Sequence, residues 1–315
     1  MTLRRPILLI VTIVIYLVAV YVVYSGPLSV LLPAGSSVLQ DIIWNYGVLA
    51  LFFVLLWTLS RFIPKREIPK LLDSRSRSVL FGVSLALYML IMVFFWQWEI
   101  VNAIPLIFKF EVLIYNNLMR YLSPEASSTI INAVLAMPIT IFVIVFVIWQ
   151  LRGWYRQIFS FSWRDGITTL LLLAFSTFAS YCRNLFIYHQ NSVQSLFPSG
   201  GVINVLILLV SQSLVNGIPE ELYFRGYMIP QLLVWLRNPF VVGLIMVSLF
   251  DASHIPSAVI GQGLHLPWWQ WILWSLFELQ PTGWLFFIIY YRMRSVIPGA
   301  IYHTYATLWA FPFLW

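Results

Sequence analysis

The feature that most constrains this chain is a succession of apolar stretches, each long enough to cross a membrane as a helix. They occupy residues 7–24, 42–60, 79–98, 128–150, 167–187, 201–229, 239–255, 268–291 and 296–314. A transmembrane helix needs about 20 predominantly apolar residues. Charged residues make up only 9% of the chain, whereas soluble domains contain about 25%. The sequence therefore predicts an all-α, polytopic transmembrane helix bundle with about nine spans.

The basic residues predict how these spans are oriented. Of the 18 lysines and arginines, three lie in predicted outer segments (Lys109, Arg120 and Arg183), one lies within a span (Arg225), and the others fall on the opposite, inner side. Lysine and arginine are enriched in cytoplasmic loops. We therefore expect an integral protein of the cell membrane with a cytoplasmic N-terminus and an external C-terminus. The net charge of +7 follows this topology and does not indicate a partner nucleic acid.

The chain divides into two regions according to where its unusual polar residues lie. Residues 1–165 are predicted to form N-terminal transmembrane helices with basic cytoplasmic loops, and residues 166–315 a core whose spans carry charges. The first span is longer than the apolar core of a signal peptide, so we expect a retained signal anchor. The single cysteine, Cys182, excludes an internal disulfide framework and a multi-cysteine metal site.

Two adjacent carboxylates and an arginine lie inside the sixth span, at Glu220, Glu221 and Arg225. A charge at the bilayer centre costs at least about 2.5–3.5 kcal/mol, so three charges together indicate a functional site. Glu221 and Arg225 are four residues apart and can pair on one helix face, which would support the motif structurally. Glu220 has no such partner in its own helix, which leaves its carboxylate free to act as a general base. Pro230 is expected to end this helix early.

Two histidines in later spans, His254 and His303, complete the set of candidate site residues. The residues 237–239 predict a tight turn between the sixth and seventh spans. Glu220 and His254 lie equally far from Arg237 along the sequence. Because residues equidistant from an antiparallel turn lie at the same depth, we expect these two side chains to be able to face each other. His303 enters the membrane from the same cytoplasmic side.

Other polar residues in the spans allow less specific interpretations. Asp251 lies one helical turn before His254 and could orient its imidazole, but a hydrogen bond within the bundle explains it equally well. Glu278 is assigned no role beyond packing or a local helix break. Glu220, His254 and His303 could in principle bind zinc, but the helical His-Glu-x-x-His arrangement is absent. We therefore expect neither a metal nor another cofactor.

The sequence resembles the CPBP family of intramembrane proteases, which comprises the CAAX prenyl endopeptidases and the bacteriocin-processing (Abi) enzymes. The family's first motif, Glu-Glu-x-x-x-Arg, is matched by residues 220–225, and its second, Phe-x-x-x-His, by Phe250 and His254. Its third motif, His-x-x-x-Asn, is matched at His303, but Thr307 stands where the family has asparagine. The resemblance covers about residues 200–310.

This resemblance implies a glutamate-type intramembrane endopeptidase that works without a cofactor. It implies that Glu220 activates a water molecule, and that His254 helps to position this water and to move its proton. His303, with Thr307, would stabilise the oxyanion. The implied partners are a membrane-anchored peptide or protein substrate and the lipid bilayer.

Two other classes of function are compatible with these residues. One is a non-catalytic family member that binds a membrane partner, as an immunity or regulatory protein does, and Thr307 favours it. The other is a transporter that uses Glu220, Glu221 and His254 as a proton relay. Transporters more often have broken helices in both halves, whereas the charges lie in the second half of this chain.

Overall fold

The structure, a computed structural model, describes residues 4–32, 37–64, 66–69, 75–96, 105–122, 124–151, 153–186, 201–261, 264–279 and 281–306. The regular structure within these ranges is helical, in agreement with the predicted all-α class, and they contain no β-strand. The helices are α1 (Arg4–Ser25), α2 (Val38–Leu59), α3 (Arg75–Trp96), α4 (Pro105–Leu118), α5 (Pro124–Gln150), α6 (Tyr155–Ile158), α7 (Trp163–Phe186), α8 (201–236), α9 (Pro239–Gly261), α10 (Trp268–Leu276), α11 (Thr282–Met293) and α12 (Val296–Tyr305).

Several of these helices are suited to a bilayer. In the part of the chain that the structure describes, four are long and apolar enough to cross a membrane: Val38–Leu59, Trp163–Arg183, Val205–Leu236 and Pro239–Pro256. Shorter apolar helices occupy Leu9–Ser25, Val79–Tyr88 and Thr140–Gln150. Many large apolar side chains on the helices are exposed, as expected of surfaces that face lipid. The protein is therefore a helical membrane protein, although these bounds do not support the predicted count of nine spans.

Two predicted spans differ from the helices that form. The segment 268–291 is not one helix, because α10 ends at Leu276 and α11 begins only at Thr282. Pro281 caps the N-terminus of α11, where its missing N–H costs nothing, and its carbonyl accepts from the backbone N–H of Leu285. The last predicted span, 296–314, is described only through residue 306, and its remainder lies outside the described residues.

Helix α8 continues through both of its prolines. It contains two π-helical segments, Ser213–Gly217 and Glu221–Met228, and each is followed within two residues by a proline, Pro219 or Pro230. A proline ring clashes with the carbonyl four residues earlier in a regular α-helix, and the wider π-turn makes room for it. The prediction that Pro230 ends the helix is therefore wrong, because α8 continues to residue 236.

Helices α8 and α9 form the predicted antiparallel hairpin. Arg237 has a left-handed backbone conformation, with φ of 52°, and Asn238 Oδ1 accepts a hydrogen bond from the Phe240 N–H at 3.0 Å. Phe224 and Phe250, which lie equally far from Arg237 in sequence, have ring centroids 5.3 Å apart. The hairpin therefore has the register that the sequence predicts.

Segments predicted to lie on the inner side of the membrane contact one another. Arg66 forms a bidentate ion pair with Asp165, at 2.6 and 2.9 Å, and donates a third hydrogen bond to the Met293 carbonyl at 2.9 Å. Arg164 donates to the Phe62 carbonyl at 3.1 Å. These bonds join the segment after α2, the start of α7 and the end of α11.

Segments predicted to lie on the outer side also meet. Asp41 at the start of α2 pairs with Arg183 near the end of α7 at 3.3 Å. Gln270 Nε2 of α10 donates to the Pro27 carbonyl at 2.8 Å. The Tyr46 hydroxyl donates to the backbone carbonyl of Glu278 at 2.7 Å, so α2 holds the break between α10 and α11.

Candidate active site

The three charges of the first motif are buried on α8. Arg225 and Glu221 are 0% exposed, and Glu220 is 4% exposed. Arg225 Nη1 lies 3.1 Å from Glu221 Oε1, which is the pairing that their spacing predicts. The Arg225 guanidinium also lies over the rings of Phe250 and Phe286, at 4.2 and 4.8 Å from their centroids. One carboxylate and two aromatic faces therefore hold this buried cation.

His303 of α12 lies between the two glutamates. Its Nδ1 is 3.2 Å from Glu221 Oε1, and its Nε2 is 3.6 Å from Glu220 Oε2. The ring is 6% exposed. The structure thus brings both carboxylates of the first motif to one histidine. The sequence predicted His303 at this site but not its contact with both glutamates.

Two glycines allow this close approach of α12 to α8. A Cβ on Gly299 would collide with the carboxylate of Glu221, and a Cβ on Gly217 would collide with the side-chain hydroxyl of Thr304. Gly299 lies one helical turn before His303 and therefore on the same face of α12. Neither glycine was predicted to contribute to the site. The position of Gly299, one helical turn before His303, was a signal in the sequence that could have indicated close contact with a neighbouring helix.

His254 lies on α9 and is half-buried. Its Nδ1 is 2.9 Å from the Phe250 carbonyl oxygen. Because a carbonyl only accepts, Nδ1 donates this hydrogen bond, which leaves Nε2 as the acceptor nitrogen whenever the imidazole is neutral. The Phe250 ring contacts His254 at 4.7 Å and His303 at 6.0 Å between centroids. Phe250 therefore links the two histidines of the predicted site.

The other polar residues considered in the sequence are Asp251, Glu278 and Thr307. Asp251 and Glu278 are 3% and 5% exposed, and Asp251 Oδ2 and Glu278 Oε2 make no hydrogen bond to a described residue. The predicted hydrogen bond of Asp251 within the bundle is therefore not seen at Oδ2. Thr307 lies outside the described residues.

The donor atoms at this site are not arranged around a common point. Glu220 and Glu221 contact opposite edges of the His303 ring, whereas the ligands of a metal ion all point at one position. The described residues contain no group of three or more His, Cys, Asp or Glu side chains placed to hold a metal ion. Independence from metal nevertheless stays a prediction.

The fold and the site define a class: a helical membrane protein with a buried pair of glutamates beside a histidine. Residues 202–309 match the protein family described as type II CAAX prenyl endopeptidase, Rce1-like. This match confirms the resemblance to the CPBP and CAAX proteases, over a segment that begins in α8 and includes α9–α12. No curated protein and no solved structure matches the chain.

Proposed function

We propose that this protein is an intramembrane endopeptidase that cleaves a membrane-associated or membrane-anchored polypeptide with water activated by Glu220. This proposal rests on a difference between the contacts of two adjacent carboxylates, Glu220 and Glu221. Glu221 is engaged through Oε1 by Arg225 at 3.1 Å and by His303 at 3.2 Å, although its Oε2 has no hydrogen-bond partner among the described residues. Glu220 Oε2, in contrast, makes no hydrogen bond to a described residue, and its ion-pair contact with His303 Nε2 is longer, at 3.6 Å. A buried carboxylate with an open acceptor position is suited to take a proton from water.

In the proposed reaction, the water oxygen attacks the carbonyl carbon of the scissile peptide bond while Glu220 takes one of the water protons. Nε2 of His254 accepts a hydrogen bond from the same water and fixes its position. His303, with Thr307, donates hydrogen bonds to the carbonyl oxygen as it becomes negative, which is often worth about 2.7–4 kcal/mol per donor. When the C–N bond breaks, Glu220 returns the proton to the leaving nitrogen, and a new amine and a new carboxylate result.

A panel of membrane-anchored peptides tests this proposal. The panel includes peptides with a prenylated C-terminal cysteine, as the family description suggests, and mass spectrometry identifies the products. We expect cleavage by the purified wild-type protein, and under the same conditions no detectable product from a folded E220Q variant. Normal cleavage by E220Q would show that the glutamate mechanism is wrong. Binding of a panel member without cleavage would support a non-catalytic partner protein instead.

We also propose that the chain crosses the cell membrane nine times, with the N-terminus in the cytoplasm and the C-terminus outside. The contacts among predicted inner segments and near the predicted outer ends of the spans support this orientation. A reporter enzyme that works only outside the cytoplasm should be active when it is fused after Trp315. Activity of a cytoplasm-dependent reporter at the same position would contradict the topology.

A further inference from the structure

Phe286 of α11 contacts two positively chargeable groups of the candidate site, His303 and Arg225. Its ring stacks on the imidazole of His303, with centroids 4.4 Å apart and an interplanar angle of 22°. The guanidinium of Arg225 lies over the same ring at 4.8 Å. Phe286 is 1% exposed and belongs to none of the three sequence motifs. The reaction proposed above gives it no role.

The contacts of His303 determine which protonation state suits it. Nδ1 faces Glu221 Oε1 at 3.2 Å, and Nε2 faces Glu220 Oε2 at 3.6 Å. A neutral imidazole has one N–H and one lone pair, so one nitrogen would direct its lone pair at a carboxylate oxygen. When both glutamates are ionised, both contacts are favourable only if both nitrogens carry a proton.

We propose that Phe286 is a positioning residue that holds His303 as an imidazolium between the two glutamates. The face of an aromatic ring is negative and attracts a cation, and stacking also fixes the plane of the imidazole. The groups around His303 are the carboxylates of Glu220 and Glu221 and the guanidinium of Arg225 from α8, the ring of Phe250 from α9 and the face of Phe286 from α11. Two carboxylates balance the charges of Arg225 and of an imidazolium.

A charged His303 matters for the reaction because hydrogen bonds from an ionised donor are stronger than those from a neutral one. When substrate binds, the Nε2–H of His303, whose contact with Glu220 is the longer one at 3.6 Å, would turn to the scissile carbonyl. An imidazolium there would stabilise the developing oxyanion better than a neutral ring. This part of the inference rests on the proposed function. The charge of His303 and its dependence on Phe286 do not rest on the proposed function. They can therefore be tested separately from the hydrolytic reaction.

Nitrogen NMR of the histidine side chains tests the charge directly in the full-length protein. The chain has 4 histidines, and an H303Q variant identifies the His303 signals by their loss. At neutral pH we expect both His303 ring nitrogens to show the similar shifts of an imidazolium in the wild type and in F287L, a matched control on the same helix. F286L should show the two different shifts of a neutral ring. A neutral His303 in the wild type would overturn the proposal.

Fluorinated phenylalanines at position 286 keep the shape of the ring but weaken its negative face. This series tests the inference even if F286L does not fold. We expect kcat to fall stepwise with added fluorine, by about 3–30-fold in total, while KM and thermal stability stay near wild-type values. The same series at Phe287 should have no effect. An unchanged His303 signal and unchanged kcat across the Phe286 series would contradict the inference, whereas normal activity of E220Q would contradict only the hydrolytic mechanism.

Discussion

Two buried carboxylates in this protein have opposite surroundings, Asp165 at the start of α7 and Glu220 in α8. Asp165 accepts hydrogen bonds from both terminal nitrogens of Arg66 and from the backbone and hydroxyl of Ser162. Glu220 Oε2 accepts none from the described residues. The saturated carboxylate joins two segments of the fold, whereas the open one can still receive a proton. Burial alone therefore does not distinguish a structural charge from a chemical one.

The arginines beside these carboxylates differ in the same way. Arg66 donates hydrogen bonds to Asp165 and to the Met293 carbonyl. Arg225 lies within ion-pair distance of Glu221, but none of its nitrogens makes a well-directed hydrogen bond to a described residue. Aromatic faces provide much of its surroundings instead. Unsatisfied buried polar groups are rare in native proteins, so those of Glu220, Glu221 and Arg225 are in keeping with the proposal that the reaction takes place here.

The largest expected effect comes from E220Q, which removes the open acceptor. Because glutamine cannot take a proton from water, we expect cleavage of an identified substrate to fall by about 10²–10⁴-fold, the usual contribution of a general base. The melting temperature should stay near that of the wild type. Product formation in a fixed-time assay and a thermal melt of the same preparation measure the two effects.

E221Q should instead act on stability. The substitution leaves the fully buried Arg225 without its counter-charge, and breaking a buried ion pair on one side typically costs about 3–5 kcal/mol. We expect a lower yield and a lower melting temperature than for E220Q, compared in the same detergent. Equal stability of the two variants would mean that Glu221 does not hold Arg225 in place.

D165N should have a smaller effect than either glutamate substitution. It weakens the charged hydrogen bonds from Arg66, each typically worth about 1.5–3 kcal/mol, but the asparagine can keep part of the pattern. Stability should therefore fall by about 1–3 kcal/mol, and activity per folded molecule should not change. A loss of kcat without a loss of stability would indicate that Asp165 belongs to the chemistry.

Removal of metal should have no effect. Because the two glutamates contact opposite edges of His303, a single ion cannot take all three groups as ligands without rearrangement. We expect activity to survive prolonged chelation and metal analysis to find no stoichiometric zinc. If chelation abolished activity, and zinc or cobalt alone restored it, Glu220 would be reassigned from base to ligand.

Local patterns in the sequence predicted several parts of the structure correctly. The turn at Arg237 and the Glu221–Arg225 pair follow from contacts between residues close in sequence, and such contacts depend only on backbone geometry. A local helix break at Glu278 was named beside packing, but the segment 268–291 was still predicted as one span, because hydropathy does not detect a change of backbone direction. The π-helical segments of α8 were missed for the same reason.

Contacts between distant helices were the hardest to predict. The bridge from His303 to both glutamates depends on how α12 is rotated against α8, and this rotation is set by packing at Gly299 and Gly217. Phe286 is one of 24 phenylalanines, and its sequence surroundings do not distinguish it from the others. Its position against Arg225 and His303 becomes visible only in three dimensions.

The π-helical segment Glu221–Met228 also determines where the length of this chain can change. Each residue added to or removed from a regular helix rotates everything beyond it by about 100°, but a π-turn contains one residue more than an α-turn and absorbs such a change locally. Deletion of one residue here would restore a regular helix and leave Leu232 and the rest of α8 facing their present neighbours, although Pro230 would lose the wider turn that makes room for its ring. The same deletion between Pro230 and Arg237 would instead turn every residue beyond it toward different neighbours.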